Sequence, residues 1–476
     1  MRRDLAAALR RTRTAELRLD YLSSDAEIAK FLKMLAASRP RATLIATCRR
    51  RSAGGLYRGS AAHQLLHLAG AIRAGCLWVD LDIETARIAP RELLEVLLGE
   101  GKVLASAHFF RAAPRSLSRV AAELDRVKPS AIKVAAQCHS LTESLRVLRL
   151  AKGRRDVVAI PMGEEALPAR VLSLRQGSAL AYAPVATATA PGQVSLDALQ
   201  DLYRADRLTR KTSVYGVIGN PIAHSLSPQM HNAAFHARRI DAVYLPFLVH
   251  DLRDFLSCIR PLGIAGFSIT IPHKQAILRH LDGCDPLARA IGAVNTVVVR
   301  GGGSLYGYNT DYVGVLATLS RRIPLRGSRV LILGAGGAAR AVAFALAEPG
   351  ASVCITSRRP ARAKALARAV EGEAIERRKI RRQFFDAIVN ATPVGMYPRE
   401  DASPLEAAEL NCRLVFDTIY RPQQTKLLRL AARRGIETVS GVEMFIAQGA
   451  AQWEIWTGER ALLAAMRRAV LGALSS

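Results

Sequence analysis

The chain of 476 residues is too long for one compact core and suits about two or three domains, and with 50% apolar residues it reads as globular rather than disordered. Its seven cysteines show no CxxC or zinc spacing, no apolar run reaches the roughly 18 to 20 residues of a membrane span, and the start MRRDLAAALRRTR lacks a signal-peptide core, so the expectation is a cytoplasmic protein without metal or membrane association. The formal net charge of +28 raises a polyanion-binding reading, but the excess is mostly scattered Arg in short runs such as 49–51 and 376–382, without interleaved aromatics, and no nucleic-acid partner is expected.

From the start to Val185, β-rich runs (ELRLDYL, TLIATCR, CLWVDLDI, KVLASAH, AIKVAAQ, VVAIPM, ALAYAPV) alternate with amphipathic stretches such as RELLEVLL and LTESLRVLRLA. Near-continuous apolar strands spaced by helices predict a parallel sheet covered by helices. So many units without a glycine-rich nucleotide turn favour a (β/α)8-type barrel, which needs one more strand than these runs supply. The helix LDALQDLYRADRL leads through polar TRKTS into VYGVIGNP, where a new βα pattern begins, so a boundary is expected near Thr209 to Ser213.

From Ser328 the order is strand RVLILG, turn GAGGAAR, a helix to about Ala347 and strand ASVCITS, the Rossmann arrangement. Gly334, Gly336 and Gly337 follow an apolar strand and open an Ala-rich helix, where backbone N–H groups and the helix dipole face a pyrophosphate. At the end of the second strand, where NAD enzymes place an acidic residue on the ribose, stands SRRPAR. Ser357, Arg358 and Arg362 suit the 2′-phosphate of NADP; otherwise this is a solvated basic turn.

The C-terminal half, from about Val214, resembles shikimate dehydrogenase through GNPIAHSLSPQMHN, FSITIPHK, IGAVNT, GYNTD, GAGGAAR, DTIYRP and SGVEMFIAQ in the family's order. The resemblance implies that Lys274 and Asp311 are the catalytic pair and that Ser225, Ser227, Thr270, Asn295, Tyr420 and Gln448 contact the substrate. It also implies that Ala335, Ala338, Thr418 and Gly441 join the glycines and Ser357, Arg358 and Arg362 around NADP(H). An ammonium held by a carboxylate fits the need to stabilise and protonate the alkoxide that forms as a ring ketone is reduced.

The N-terminal half resembles type I 3-dehydroquinate dehydratase over about Thr14 to Leu202. ELRLD supplies Glu16 and Arg18, ATCR Arg49, ASAH His108, AIKV Lys133, LPAR Arg170, and TATAPGQ Thr189 and Gln193. The resemblance implies that Lys133 forms an imine with the substrate ketone and that His108 carries the proton from carbon to the departing hydroxyl. Lys133, read as standing at the end of an apolar strand, is expected to have its pKa lowered by desolvation, freeing the amine.

The implied architecture is a dehydratase barrel over 1–208, with its first strand absent, a substrate-binding domain over 213–325 completed by 441–476, and an NADP-binding Rossmann domain over 326–440. Besides the missing strand, two departures from the dehydratase pattern stand out: Ala53 occupies the place of a Glu that orients the histidine, and Thr189 that of a Ser. The implied chemistry converts 3-dehydroquinate to 3-dehydroshikimate and then to shikimate with NADPH, and the oligomeric state stays open. Three alternatives stand beside it: a chain in which the dehydrogenase alone is active, an NAD-dependent quinate or shikimate oxidiser, and a polyanion-binding or regulatory protein on a retained enzyme fold.

Overall fold

The computed structural model describes residues 2–185 and 192–475. The chain divides into two units, Met1–Lys211 with Arg253–Cys258, and Thr212–Leu252 with Ile259–Ser476.

In the first unit, β1 (Thr14–Arg18), β2 (Thr43–Thr47), β3 (Trp78–Asp82), β4 (Lys102–Phe109), β5 (Ala131–Gln137) and β6 (Val157–Met162) pair in chain order. Every pairing is parallel. Four of the intervening helices start at a serine that caps them: Ser24, Ser60, Ser116 and Ser140 each accept a hydrogen bond from the backbone N–H three residues on. Leu35, Leu68 and Val79 are buried between sheet and helices, each contributing roughly 1.5–3 kcal/mol by leaving water.

Six of the seven apolar runs are strands, and the resulting arc is the greater part of a (β/α)8-type barrel. The seventh, Ala179–Val185, makes no ladder. Its first residue donates from N–H to the carbonyl of Val157 (2.8 Å), so it starts beside β6 and then leaves the sheet. The edge of β1 away from β2 is thus unpaired among the described residues. A cavity of about 790 Å³ lies there, lined by β1, by residues 179–185 and by Gln193 and Leu199.

The second unit holds two sheets. The mixed one runs in the order β10 (Gly283–Cys284), β12 (Leu305–Tyr308), β11 (Thr296–Val299), β9 (Ile264–Ile269), β7 (Ser213–Gly219), β8 (Ala242–Leu248), with β11 antiparallel to both neighbours. Helices Ser227–Arg238, Val442–Thr457 and Leu463–Ser475 pack on it through Phe235, Trp453, Met466 and Val470. The other sheet is wholly parallel, in the order β15 (Glu373–Ala374), β14 (Ser352–Thr356), β13 (Arg329–Leu333), β16 (Phe385–Asn390), β17 (Cys412–Asp417), β18 (Glu437–Val439). Strand order reverses between β13 and β16, the crevice where doubly wound sheets bind ligands. Among the described residues no helix is long and apolar enough to cross a membrane.

Candidate active sites

In the barrel, alternation along the strands turns Glu16, Asp80, Ser106, His108 and Lys133 toward one another. Lys133 is the third residue of β5, not its last, and only 2% exposed. Its Nζ contacts the Asp80 carboxylate, lies 3.4 Å from Glu16 Oε1 and stands over the Tyr182 ring, 4.8 Å from the centroid. Asp80 also accepts from Ser106 Oγ (2.6 Å) and faces Arg49 Nη2 at 3.4 Å. Glu16 accepts from Thr47 Oγ1 at 2.6 Å.

These charges overturn the expected direction of the Lys133 pKa. Burial lowers it, but Asp80, then Tyr182 and Glu16, more than offset burial, and the net shift is upward. Asp80 is the mirror case: burial opposes its charge, yet Lys133 and Arg49 carry its pKa below the ordinary carboxylate value. Asp80 was missed because its strand WVDLD reads as an ordinary core run; the signal available was an acidic residue at an inward position of a parallel strand.

His108, next to last in β4, pairs in register with Ala135, two residues beyond Lys133 on β5. Burial, then the cations Arg49 and Lys133, hold it well below the ordinary imidazole pKa, so it is neutral at pH 7. Its ring stacks on Phe110, 6.0 Å between centroids. Ala53 is buried at the end of a short turn and offers no carboxylate.

Arg170 lies in the helix Leu167–Val171, 9% exposed, with no carboxylate within 4 Å among the described residues, and burial pushes its pKa down to about 10. A buried guanidinium so placed is suited to an incoming anion. Arg49 Nε is likewise buried without a partner among the described residues. Arg18 is bound through two nitrogens to Asp20 at 2.9 and 2.7 Å, and with Glu16, Tyr182 and Gln193 it lines the cavity at the unpaired edge. Thr189 lies outside the described residues.

In the second unit Lys274 lies a short way beyond β9, and Asp311 is the first residue of the helix Asp311–Leu319. Lys274 Nζ donates to Asp311 Oδ2, while Asn295 Nδ2 donates to Asp311 Oδ1 at 2.8 Å. Asn295 Oδ1 in turn accepts from the Thr310 backbone N–H at 2.8 Å, which fixes the amide. Thr270 directly follows β9, its methyl 2.4 Å from where a Cβ on Gly219 would stand. Tyr420 is half-buried and its ring packs on that of Phe445 (4.3 Å between centroids); desolvation raises its pKa, eased by contacts with Leu226 and Ser225. Ser227 is buried beside Tyr244. Gln448 is held by its own helix, Nε2 donating to the Phe445 carbonyl at 2.8 Å.

The turn after β13 brings a nucleotide-type cradle to this lysine. Gly334 has φ +117°, closed to side chains, and a Cβ there would meet the Ala391 carbonyl and Thr392 Cγ2 at 3.1 Å. Gly336 caps the helix Gly337–Ala347, and a Cβ on it would project into open space, leaving room for a pyrophosphate at the helix N-terminus. A Cβ on Gly337 would sit 3.1 Å from Lys274 Cβ, so the turn and the lysine are immediate neighbours, with Ala335 and Ala338 in the same turn. Ser357, half-buried, and Arg358 and Arg362, exposed, follow β14, with Arg359 a further exposed guanidinium. Thr418 Oγ1 donates to the Asn390 carbonyl, and Gly441 packs so closely on Thr418 that a Cβ would fall 2.2 Å from its carbonyl oxygen. Thr392, beside Gly334, was not anticipated. The described residues contain no cluster of three or more His, Cys, Asp or Glu arranged to hold a metal ion.

The type I 3-dehydroquinase family model matches residues 1–210. The shikimate dehydrogenase substrate binding domain matches 217–297, shikimate/quinate 5-dehydrogenase 317–394, and the shikimate 5′-dehydrogenase C-terminal domain 441–471. The chain is 34% identical over 467 residues to the chloroplastic bifunctional 3-dehydroquinate dehydratase/shikimate dehydrogenase of Arabidopsis thaliana, covering 93% of this chain and 77% of the relative. It is 44% identical over 279 residues to the shikimate dehydrogenase (NADP(+)) of Symbiobacterium thermophilum, 55% of this chain and 94% of that one. Among solved structures, the Thermus thermophilus shikimate 5-dehydrogenase in complex with NADP(H) and shikimate is similar at 39% identity and TM-score 0.51, covering 55% of this chain and 99% of that one. The Corynebacterium glutamicum quinate dehydrogenase in complex with NAD is similar at 32% identity and TM-score 0.51, covering 55% and 99%.

Proposed function

The chain belongs to the family of bifunctional 3-dehydroquinate dehydratases/shikimate dehydrogenases, and we propose that Lys133 and His108 carry its lyase step and Lys274 and Asp311 its reductive step. The enzyme dehydrates 3-dehydroquinate to 3-dehydroshikimate and reduces that product to shikimate. The observation that carries the assignment of residues is that each unit holds a lysine paired with a carboxylate: Lys133 with Asp80, and Lys274 with Asp311.

In the barrel, Lys133 rests as an ammonium on Asp80. Once it gives up a proton it adds to the substrate ketone, and the resulting imine acidifies the neighbouring C–H. His108, kept neutral by burial, takes that proton and returns it to the departing hydroxyl. Arg170 and Arg49 receive the substrate carboxylate, and Glu16, Arg18, Thr189 and Gln193 orient its hydroxyls.

In the second unit NADPH, when bound, supplies the hydride equivalent to the ring ketone. Lys274, held by Asp311, stabilises and protonates the developing alkoxide, and Asn295 fixes the carboxylate that holds it. Ser225, Ser227, Thr270, Tyr420 and Gln448 position the ring. Gly334, Ala335, Gly336, Gly337 and Ala338 would hold the pyrophosphate of NADP(H), with Thr418 and Gly441 completing the cofactor site. Relatives named for NADP and a solved NADP(H) complex support that cofactor. The preference for NADP over NAD rests on Ser357, Arg358 and Arg362, since no Asp or Glu stands between β14 and Lys364. All seven cysteines are free, which fits a reducing compartment such as the cytosol.

The assignment is tested by reducing the enzyme with borohydride in the presence of 3-dehydroshikimate and mapping the added mass: it belongs on Lys133. Mass on another lysine removes the assignment.

A further inference from the structure

Tyr182 belongs to the run that failed to become a strand. Its carbonyl accepts from Arg170 Nη2 at 3.4 Å, and its ring covers the Lys133 ammonium, 4.8 Å from Nζ to centroid. Tyr182 also lines the cavity at the unpaired edge of β1, and Lys133 does not. Its hydroxyl is shielded from water and has no hydrogen-bond partner among the described residues. Burial raises the phenol's pKa despite the pull of Lys133, so the proton stays on at neutral pH.

The other polar groups around Lys133 are committed. Asp80 is held by Lys133, Ser106 and Arg49, and Glu16 by Thr47 and Lys133. His108 is reserved for the C–H proton in the proposed mechanism. An unspent O–H beside a nucleophilic amine is placed to serve the oxygen of the carbonyl that amine attacks.

We propose that Tyr182 is a catalytic residue of the lyase half, the acid that completes imine formation; this rests on Lys133 as the imine-forming residue. As the C–N bond forms, the carbonyl π pair moves to oxygen, which takes the proton shed by nitrogen and becomes the carbinolamine hydroxyl. The C–O bond then breaks with its electron pair on oxygen, the phenol proton completes the departing water, and the nitrogen lone pair closes C=N. The phenolate left behind faces the iminium charge. When water later hydrolyses the product imine, its hydroxide adds to carbon and its proton restores the phenol.

The test is Tyr182→Phe in the full chain, which keeps the ring over Lys133 and removes only the O–H. Dehydration of 3-dehydroquinate should fall at least tenfold in kcat with KM changed less than threefold, and the rate of borohydride-trapped imine with 3-dehydroshikimate should fall by a similar factor. NADPH oxidation with 3-dehydroshikimate in the same sample should be unchanged, which reports intact protein. A variant within twofold of the parent in turnover and trapping overturns the proposal, as does lost turnover with an unchanged trapping rate. A parent that turns over but is trapped on a lysine other than Lys133 overturns instead the reading beneath it.

Discussion

Asp80 on β3 lies directly against the ammonium of Lys133 on β5, inside a parallel sheet where both side chains are almost wholly buried. Breaking such a pair from one side strands a buried charge, at a cost of about 3–5 kcal/mol. Asp80→Asn should therefore lower stability by roughly that amount at pH 7 in chemical denaturation. The sign with pH follows from the two shifts. The depressed Asp80 contributes stability above its unfolded pKa of about 4, lost as pH falls; the raised Lys133 contributes below about 10.4, lost as pH rises. The gap between parent and variant should be widest between those values and narrow outside them.

His108 is half-buried and neutral, its folded pKa held well below the unfolded value of about 6.5 by desolvation. The unfolded chain binds a proton there that the folded one refuses, so this group contributes stability above about pH 6.5 that is lost as pH falls, by up to about 1.4 kcal/mol per unit. His108→Ala should flatten that part of the stability profile. It should also stop dehydration while leaving the borohydride-trapped imine on Lys133 intact, separating imine formation from proton transfer.

Lys274→Ala should cost about 10²–10⁴-fold in kcat for 3-dehydroshikimate reduction, the usual worth of a positioned acid. Asp311→Asn keeps the shape of the side chain and removes the charge that holds the ammonium, and it should cost less than loss of the lysine. Dehydration of 3-dehydroquinate, measured in the same samples, should be unaffected.

Arg358→Ala with Arg362→Ala should raise KM for NADPH about ten- to a hundredfold and leave that for NADH within about threefold, since charge-assisted contacts to the 2′-phosphate are absent from NADH. Both side chains are exposed, so thermal stability should not move.

Much of this was legible in the residues because each of the six strands of the first sheet carried its own apolar run. Gly334, Gly336 and Gly337 marked the sharp turn between β13 and the helix Gly337–Ala347, since glycine lets the backbone take the positive φ found at Gly334. The run ALAYAPV looked like a strand, yet with β1 on the far side of a cavity it has no ladder to join on that side. Lys133 misled more deeply. Its own strand reports desolvation alone, while the direction of its pKa is decided by Asp80, 53 positions earlier in the numbering and brought alongside only by the sheet. Tyr182 was hidden likewise: one aromatic in an apolar run is core by default, and only its position over Lys133 distinguishes it.

The central claim, two consecutive reactions on one chain with Lys133 and Lys274 at their centres, is tested by following NADPH oxidation after adding 3-dehydroquinate, with 3-dehydroshikimate in a parallel reaction. The account predicts oxidation from both substrates, loss of the first alone in Lys133→Ala, and loss of both in Lys274→Ala. Oxidation from 3-dehydroshikimate alone in the parent, or oxidation from 3-dehydroquinate surviving Lys133→Ala, would contradict it.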